Sequence, residues 1–537
     1  MKVVTAGEMQ EIDRITIEER GMPAAVLMGM AGRAVADKAA AVLPCGGRVA
    51  ILCGTGNNGG DGYVAGYYLA HEGFHVDLFA VGAEDKLSDT ARVFHELCGR
   101  SGIAISSVGT GADLSGLDLD GYDCIIDALL GTGFSGAVRG ITAQVIRVIN
   151  DSDSYVLSID VPSGLGSDGR APEGEAVIAD RTVAIGLPKI SLVTYPGRNY
   201  AGELTVAEIG FPPSLTASDS LKTELIDGDF FCKNAINGIE SEYAARADTH
   251  KGERGHLMLV GGFDGMEGAI MMAARAAFET GVGMASLLTT EAARRIIAGT
   301  IPELITTSLS PDLDTAAPDP VAIRAALADL FEKKRFGAVL VGPGMGRGPL
   351  SRAVCEALFS LTRDFGISRI LIDGDGLFHF AGFLKKGKPD PSTHIIITPH
   401  FKEASILSGM SVEEIRNDRH GSAGRMALAL SCTTVLKGPS SIVTDGDRFL
   451  INTTGNPALA AAGSGDVLSG IIAALMLRRF SPLHAAGYGV WIHGRAADLC
   501  CTEQNTDIIK STDLLRYIRA SKCMSGPRAR EEITGDK

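Results

Sequence analysis

The 537-residue sequence contains few aromatic residues and no long apolar run. Aromatic side chains account for 6% of the residues, with a single Trp, although hydrophobic residues together make up 45%. The cores are therefore predicted to consist of aliphatic side chains, which suits parallel strands buried under helices. No uncharged apolar stretch reaches the roughly 18 residues needed to cross a bilayer, so we expect no transmembrane helix.

Paired cysteines and a surplus of positive charge are also missing. The ten cysteines are scattered, without CxxC spacing, which is typical of a reduced protein. With 50 Lys+Arg against 64 Asp+Glu the formal net charge is −14, which disfavours a broad basic face for nucleic acid or an anionic membrane. The N-terminal stretch becomes charged from Glu8 onward and has no signal-peptide core. We therefore expect a cytoplasmic protein that binds neither nucleic acid nor membranes.

Glycine is abundant instead, with 67 residues, about 12% of the chain against roughly 7% in average proteins. Strands alternate with helices along the sequence, which predicts an α/β fold with mostly parallel sheets. A polar, Ser-rich stretch near residues 215–235 marks a domain junction. We predict a doubly wound domain over 1–225, a second α/β domain over 235–520 and a polar tail over 521–537.

The predicted elements set the positions of the motifs. A helical lead-in covers residues 6–43, with a break near Pro23. The predicted strands of the first half are 48–53, 75–81, 124–130, 155–161, 181–186 and 203–209, with helices at 63–71, 89–101 and 141–150. In the second half we predict strands at 256–260, 285–288, 338–341, 369–372, 394–397 and 434–436, with helices at 269–280 and 466–477.

A glycine-rich segment, residues 54–62, joins the first predicted strand to a helix. Glycines there let backbone N–H groups approach a ligand, and a following helix N-terminus favours phosphate. The segment lacks the Lys and Ser/Thr of a P-loop. Glycine turns between strand and helix are common, but Asn57, Asn58 and Asp61 add a polar cluster that a plain turn does not need.

Two later loops begin at Asp127 and Asp160, each at the end of a predicted strand. Strand ends in a doubly wound sheet form one crevice, so loops 57–61, 127–137 and 160–163 are expected to converge. Asp127 alone would read as a capping or turn residue. The convergence favours a binding site.

These three loops resemble the epimerase domain of the NAD(P)H-hydrate repair enzymes, over about residues 1–225, including the lead-in helix with Met9 and Asp13. The resemblance implies a Rossmann-like domain that interconverts the R and S forms of hydrated NADH and NADPH. Asp160 is the acid/base candidate, since a carboxylic acid near the ring can shuttle the hydroxyl proton. The implied substrate-binding residues are Asn57, Asn58, Gly59, Gly60, Asp61, Gly131, Thr132, Gly133, Phe134, Ser135, Gly136, Ala137 and Asp160.

The same resemblance implies a potassium ion at Asn58, Asp127 and Ser163. One carboxylate with neutral oxygens is a donor set that suits a weakly hydrated monovalent cation.

The most informative motif of the second half is Gly463-Ser464-Gly465-Asp466, at the start of an apolar helix. Backbone N–H groups at the positive end of a helix form an anion hole. The aspartate beside them can take a proton from a hydroxyl that is being phosphorylated. The tetrapeptide alone is equally compatible with an aspartate that caps the helix after a glycine turn.

With its flanking segments this turn resembles the ribokinase-like superfamily and, within it, the NAD(P)H-hydrate dehydratases, over about residues 235–515. The segments that carry the resemblance are His250-Lys251-Gly252 with Gly255, Gly261-Gly262 with Gly268-Ala269, residues 342–346, Thr398-Pro399-His400 with Glu403, and residues 436–438. It implies hydrate contacts from Ala269, Gly344, His400 and Asp466, and nucleotide contacts from Lys437, Gly438, Pro439, Ser440, Ser441 and Gly465.

In this resemblance Asp466 activates the ring hydroxyl for phosphorylation and Lys437 is a phosphate partner. Taken alone, His400 reads as a turn or capping residue and Lys437 as a solvated lysine. The sequence departs from the family pattern in three places: Phe401-Lys402 replaces the usual Pro-Gly, Gly374 and Gly376 replace alanines, and Ser441 replaces Thr. These departures leave loop geometry and nucleotide preference open.

The sequence therefore predicts a bifunctional repair enzyme for NADHX and NADPHX, the hydrates of NADH and NADPH. We expect K⁺ in the epimerase domain, Mg²⁺ in the dehydratase domain, ADP or ATP as co-substrate, and a homo-oligomer. A true ribokinase-like kinase that phosphorylates a small alcohol is one alternative. The other is a first domain that binds nucleotides or a partner without catalysis, against which Asp127 and Asp160 argue.

Overall fold

The computed structural model describes residues 1–109, 114, 117–231, 254–310, 312, 313, 317–387, 390–478 and 480–522. The chain divides into two compact units. The first comprises Lys2–Thr223 and Arg416–His420, and the second comprises Met1, Glu224–Ile415 and the chain from Gly421 onward. None of the helices in the described ranges is long and apolar enough to cross a membrane.

The first unit contains a parallel sheet. The strands of this unit are β1 (Lys2–Val3), β2 (Arg48–Cys53), β3 (His75–Val81), β4 (Ala104–Val108), β5 (Cys124–Ala128), β6 (Tyr155–Ile159), β7 (Arg181–Ile185) and β8 (Glu203–Ala207). Strands β2 to β8 form the sheet in the order β4-β3-β2-β5-β6-β7-β8, and every neighbouring pair is parallel. The order reverses between β2 and β5, which creates a switch point where ligands bind in such sheets.

Helices cover both faces of this sheet. They are α1 (Ala6–Arg14), α2 (Ala24–Ala40), α3 (Asn57–His71), α4 (Asp89–Arg100), α5 (Gly140–Asp151), α6 (Ile190–Val193), α7 (Arg198–Ala201) and α8 (Pro213–Thr216), with a π-helical turn at Ile15–Glu19 and a 3₁₀ turn at Glu84–Lys86. Alternate residues of β2 pack against helices on opposite faces of the sheet. Val49 and Ile51 pack in one apolar core with α2 and α3, whereas Ala50 and Leu52 pack in another with α5. The predicted doubly wound fold is confirmed.

The second unit is built on a larger mixed sheet. Its strands are β9 (Thr223–Ile226), β10 (His256–Val260), β11 (Met284–Thr289), β12 (Ile305–Ser308), β13 (Ala338–Val341), β14 (Arg369–Ile372), β15 (His394–Ile397), β16 (Thr433–Leu436), β17 (Ile442–Thr444) and β18 (Phe449–Asn452). They follow the order β9-β18-β17-β16-β15-β14-β13-β10-β11-β12. The pairs from β16 to β12 are parallel, while β16, β17 and β18 pair in antiparallel fashion.

Helices again lie on both faces. They are α9 (Gly228–Phe231), α10 (Glu267–Thr280), α11 (Glu291–Ala298), α12 (Pro320–Lys333), α13 (Pro349–Leu361), α14 (Asp375–Leu384), α15 (Phe401–Ser408), α16 (Val412–Asn417), α17 (Arg419–Leu430), α18 (Ser464–Met476), α19 (Pro482–Gln504) and α20 (Ile518–Ser521), with 3₁₀ turns at Pro457–Leu459 and Asp513–Tyr517. Leu257 and Leu259 of β10 pack with α10, α18 and α19, and Met258 and Val260 pack with α12 and α13. The α/β class predicted for this half is confirmed.

One element differs from its prediction in a way that matters for function. The helix predicted at 63–71 begins at Asn57, so the polar cluster 57–61 forms the first turns of α3 and is not a loop. Because glycines lower helix propensity, nothing in the sequence indicated that the helix begins this early. Close packing requires one of them, because a Cβ on Gly59 would lie 1.9 Å from the Gly54 carbonyl oxygen.

Candidate active sites

A cavity of about 760 Å³ lies in the first unit, beside the switch point of its sheet. Its walls come from segments that follow β2, β3, β5, β6 and β7, together with α1 and α2. The three predicted loops do meet there, through Asn57, Asn58, Asp61, Gly131, Thr132, Gly133, Phe134 and Asp160. Five of the predicted substrate-binding residues are not part of the lining: Gly59, Gly60, Ser135, Gly136 and Ala137. Asp127 and Ser163, predicted for the potassium site, are not part of it either.

The N-terminus of α3 borders this cavity through Gly56, Asn57 and Asn58. The first backbone N–H groups of a helix have no intrahelical acceptor and carry partial positive charge, so they favour an anionic group. The two asparagine side chains are fixed. Asn57 Oδ1 accepts from Ser88 Oγ at 2.9 Å, and Asn58 Nδ2 donates to the Leu130 carbonyl at 2.9 Å. This end of the cavity therefore suits an anionic group such as a phosphate.

Asp127 is completely buried at the end of β5. Its carboxylate accepts hydrogen bonds from Ser158 Oγ at 2.9 Å, from Ser163 N at 2.8 Å and from Ser163 Oγ at 2.5 Å. Burial raises the pKa of Asp127, against the effect of these hydrogen bonds. A cation beside it would offset that cost. Neutral oxygens lie close by, since Ser163 Oγ stands 3.2 Å from the Leu130 carbonyl oxygen, which accepts from Asn58 Nδ2, so the donor set is compatible with K⁺.

Asp160 follows β6 with a φ of 66°, a left-handed conformation that costs a non-glycine residue about 1–3 kcal/mol and is found mainly at functional sites. Its Oδ1 accepts from the Ile185 backbone N–H at 3.0 Å and from Lys189 Nζ. Asp13 and Asp61 line the same cavity. Burial, reinforced by the charge of Asp160, raises the pKa of Asp13 to about 6 and that of Asp61 well above its usual range.

In the second unit, Asp466 lies in the first turn of α18. Gly463, with a φ of 88°, is the N-cap and provides no side-chain cap. Asp466 therefore occupies the third helical position, and the alternative that it simply caps the helix is wrong. Burial, assisted by the negative charges of Asp373 and Glu403, raises the pKa of Asp466 to about 7.

Lys437 follows β16 and forms an ion pair 2.8 Å from Asp373 Oδ1, with Glu403 Oε2 at 3.8 Å. Its side chain is only 20% exposed, so the interpretation as a solvated lysine is wrong. Although burial opposes it, the charges of Asp373 and Glu403 raise the pKa of Lys437. A Cβ on Gly465 would stand 3.4 Å from Lys437 Nζ, so the lysine lies beside the turn that carries Asp466.

Asp373 holds this arrangement together. It follows β14 and is buried, and it accepts from Thr398 Oγ1 at 2.7 Å and Ser469 Oγ at 2.6 Å in addition to Lys437. Burial favours protonation, but Lys437 and the two hydroxyls lower the pKa of Asp373 overall. Thr398 follows β15 and Ser469 lies one turn after Asp466, so this carboxylate connects two strand ends to α18.

His400 is the N-cap of α15. Its Nδ1 accepts from Lys402 N at 3.0 Å and Glu403 N at 3.3 Å, while the Glu403 carboxylate accepts from His400 N at 2.8 Å. The capping role considered from the sequence is thus present. Burial, and then the charge of Lys437, lower the pKa of His400, which favours a neutral ring with its hydrogen on Nε2.

The remaining predicted residues of the second site fall into two groups. A Cβ on Gly344 would lie 3.0 Å from Ala269 Cβ, so these two positions adjoin. Gly438, Pro439, Ser440 and Ser441 form a turn between β16 and β17 in which Ser441 Oγ donates to the Gly438 carbonyl at 2.9 Å. His250, Lys251 and Gly252 lie outside the described residues.

Both halves of the chain match known proteins. Residues 24–191 match the family described as YjeF-related protein N-terminus, and residues 257–520 match the family described as NAD(P)H-hydrate dehydratase. A Thermofilum pendens protein named bifunctional NAD(P)H-hydrate repair enzyme Nnr is 35% identical over 523 residues, 96% of this chain and 95% of that protein. A Moorella thermoacetica protein of the same name is 32% identical over 526 residues, 96% of each chain. The chain belongs to the bifunctional NAD(P)H-hydrate repair enzyme family.

A solved structure of the ADP/ATP-dependent NAD(P)H-hydrate dehydratase from Bacillus subtilis, co-crystallized with ATP/Mg²⁺, is 25% identical to this family member, with a TM-score of 0.43. The match covers 53% of this chain and 92% of that one.

Sequence reasoning assigned no role to Lys189, Asp373 or Ser469. The signal for the first two was available, because Lys189 comes soon after β7 and Asp373 directly after β14, and strand ends converge in such sheets. Ser469 gave no signal, since a single serine within an apolar helix does not by itself indicate a functional role. Lys189 contacts Asp160 and Asp373 contacts Lys437, both of which the sequence had singled out, whereas Ser469 contacts Asp373.

Proposed function

We propose that this protein repairs hydrated NADH and NADPH at two active sites. Residues 1–225 form an epimerase domain that interconverts the R and S hydrates. Residues 235–520 form a dehydratase domain that converts the S hydrate to NADH or NADPH at the expense of ADP or ATP, and residues 521–537 are a polar tail. The observation that carries the proposal is that both strand-end sites place a helix N-terminus beside a buried cluster of carboxyls and one lysine.

Epimerisation requires the ring hydroxyl to leave and return on the opposite face. Protonation of the hydroxyl lets it leave as water, and the ring nitrogen then carries the positive charge. Carboxyl groups lining the cavity, with Asp160 the leading candidate, can exchange that proton. The N-terminal turn of α3, with Asn57 and Asn58, would hold a phosphate of the dinucleotide.

Asn58, Asp127 and Ser163 would hold K⁺. A bound ion would place a positive charge beside the buried Asp127 carboxylate. Asp127 would then fix the segments after β5 and β6 through Ser158 and Ser163.

Dehydration through phosphorylation needs a base for the ring hydroxyl and a site for the phosphate. Asp466, with a pKa of about 7, can take the proton near neutral pH. The hydroxyl oxygen then bonds to the terminal phosphorus of the nucleotide. Lys437 and the N–H groups at the start of α18 stabilise the developing charge. Phosphate leaves with the ring oxygen, a ring proton is lost and the double bond is restored.

Mg²⁺ would enter this site on the nucleotide phosphates, its usual partners. Within the described ranges no group of three or more His, Cys, Asp or Glu side chains is arranged to hold a metal. The composition and the scattered cysteines support a cytoplasmic enzyme, and we propose a homo-oligomer.

The test uses a mixture of R and S NADPHX with Mg²⁺ and either ADP or ATP, and follows NADPH by its near-ultraviolet absorbance. Wild type should recover all of the NADPH. Asp160→Ala should recover the S share at once and the rest only at the rate of spontaneous epimerisation. Asp466→Asn should recover little, whereas Glu413→Gln, which alters an exposed carboxylate in the first turn of α16, should match wild type.

Phosphate release distinguishes the kinase alternative. A dehydratase releases one inorganic phosphate for each NADPH formed, whereas a small-alcohol kinase leaves the phosphate on its product. No recovery by wild type with either nucleotide would overturn the repair function.

A further inference from the structure

The wall of the epimerase cavity contains two lysines with different surroundings. The charged side chains of the wall are Asp13, Asp61, Lys86, Asp160 and Lys189. Lys189 is fully buried and donates to Asp160, so its charge is already matched by a carboxylate. Lys86 is exposed and forms no ion pair with any of the described residues. Lys86 therefore offers a positive charge to an anionic part of a ligand in this cavity.

The turn that carries Lys86 is tied to the N-terminus of α3. Ser88, two residues later, donates its backbone N–H to the Thr55 carbonyl at 2.9 Å and its Oγ to Asn57 Oδ1 at 2.9 Å. Within the turn, the Lys86 N–H donates to the Ala83 carbonyl at 3.0 Å. The backbone of Lys86 is thus fixed beside the helix end that suits a phosphate, and its side chain forms part of the cavity wall.

The order of the strands sets the direction of a dinucleotide in this cavity. Asp160 follows β6 and Lys86 follows β3, and α3 begins after β2, which lies between them in the sheet order β3-β2-β5-β6. Three strand spacings of about 4.8 Å separate β3 from β6 by about 14 Å. With the nicotinamide ring at Asp160 and a phosphate at the start of α3, the adenosine half extends towards β3 and Lys86.

The segment after β3 is placed to bind the adenosine ribose. In doubly wound sheets an acidic side chain near this position binds the ribose 2′-hydroxyl, and a basic one accommodates a 2′-phosphate. The turn of this chain carries both kinds, since Glu84 and Asp85 precede Lys86. Glu84 and Asp85 are exposed and do not line the cavity, whereas Lys86 does. The basic side chain is therefore the one that faces the ribose.

We propose that Lys86 binds the 2′-phosphate of hydrated NADPH and gives the epimerase domain a preference for NADPHX over NADHX. A phosphate monoester carries about two negative charges at neutral pH, whereas NADHX has an uncharged hydroxyl at the same position. Lys86 lies at the other end of the cavity from the reacting ring, so it acts on substrate binding and not on proton transfer. Lys86 is a specificity-determining residue, and this inference rests on the proposed epimerase function.

The experiment measures interconversion of R and S without nucleoside phosphate, by chromatographic separation, with NADPHX and with NADHX as substrate. Wild type should have the lower KM for NADPHX. Lys86→Gln should raise the KM for NADPHX about fivefold, the upper range for an exposed ion pair, and leave the KM for NADHX and both kcat values unchanged. Lys86→Arg should retain the preference, and Lys86→Glu should reverse it because a carboxylate repels the 2′-phosphate.

The control is Lys38→Gln, which removes the same charge from an exposed position of α2 outside the cavity wall. It should leave the ratio of the two KM values as in wild type. An equal change of that ratio in Lys38→Gln and Lys86→Gln would mean that the preference follows net charge alone, and would overturn the proposal.

Equal KM values for the two substrates in wild type would also overturn it, as would KM values in Lys86→Gln that rise equally for both substrates or for neither. If wild type interconverts neither NADPHX nor NADHX, the epimerase function itself is wrong. That result is distinct from an active epimerase whose substrate preference does not depend on Lys86, in which only the role of Lys86 fails.

Discussion

Asp466 is expected to make the second unit less stable as the pH rises. Its ordinary pKa of 3.8 is raised to about 7 in the folded protein, so between these values the folded state binds a proton that the unfolded state has lost. The stability gained from that proton is complete below pH 4 and disappears as the pH passes 7. The full shift corresponds to about 4 kcal/mol.

Asp466→Asn should remove this dependence, because asparagine does not titrate. The free energy of unfolding of the variant relative to wild type should then rise by roughly 2–3 kcal/mol from pH 5 to pH 8. Dehydratase activity should be lost at the same time. Stability and function would therefore oppose each other at this position, as they often do at active sites.

Trp491 provides the assay. It is the only tryptophan of the chain, it is 2% exposed and it lies on α19 in the second unit, so its fluorescence during denaturation reports that unit. The control is Glu413→Gln, which removes an exposed carboxylate from the same unit and should show no trend with pH. A difference for Asp466→Asn that is constant from pH 5 to pH 8 would refute the reasoning.

Three further predictions follow from contacts of the two sites. In the dehydratase, kcat should rise with pH through about 7 as Asp466 loses its proton. Asp373→Asn should shift that rise to lower pH, because it removes a neighbouring negative charge. If the rise in kcat stays at the same pH, the two carboxyls are not coupled. K⁺ should stimulate epimerisation by wild type but not by Asp127→Asn, measured in sodium- and potassium-containing buffers. Gly59→Ala should lower the free energy of unfolding of the first unit by about 1–3 kcal/mol, because the new Cβ would lie 1.9 Å from a carbonyl oxygen. The control is Gly56→Ala, whose Cβ meets no atom within 4 Å. Equal melting temperatures for the two variants would contradict this prediction.

The elements that the sequence predicted best are buried apolar runs bounded by polar residues. The bounds of β2, β3 and β10 match their predictions because each strand packs on both faces. Strands β4 and β12 were missed for the opposite reason. Residues 104–108 are mostly exposed or half-buried and include two serines, which weakens any apolar signal at a sheet edge.

The sequence predicted the positions of the candidate site residues better than it predicted their protonation states. Because strand ends converge, the sequence predicted that Asn57 and Asp160 lie close together, and both line the cavity. Whether a carboxyl holds a proton depends on burial and on partners far away in sequence, such as Lys189, 29 residues after Asp160. No local pattern encodes such a pairing.

The two sites share one arrangement of charge, and this explains how both could work near neutral pH. Asp13, Asp61 and Asp160 surround Lys189 in the first unit, and Asp373, Glu403 and Asp466 surround Lys437 in the second. In each site the lysine forms its closest ion pair with one carboxylate, Asp160 or Asp373.

The other two carboxyls of each site share a buried space with that pair, and burial together with the nearby negative charge raises their pKa values. A carboxyl whose pKa approaches the working pH can release and recover a proton within one turnover. Replacing either lysine with a neutral residue should therefore do more than remove one ion pair. It would raise the pKa of Asp13 and Asp61 in the first unit, or of Asp373, Glu403 and Asp466 in the second, and move the pH range in which that site works.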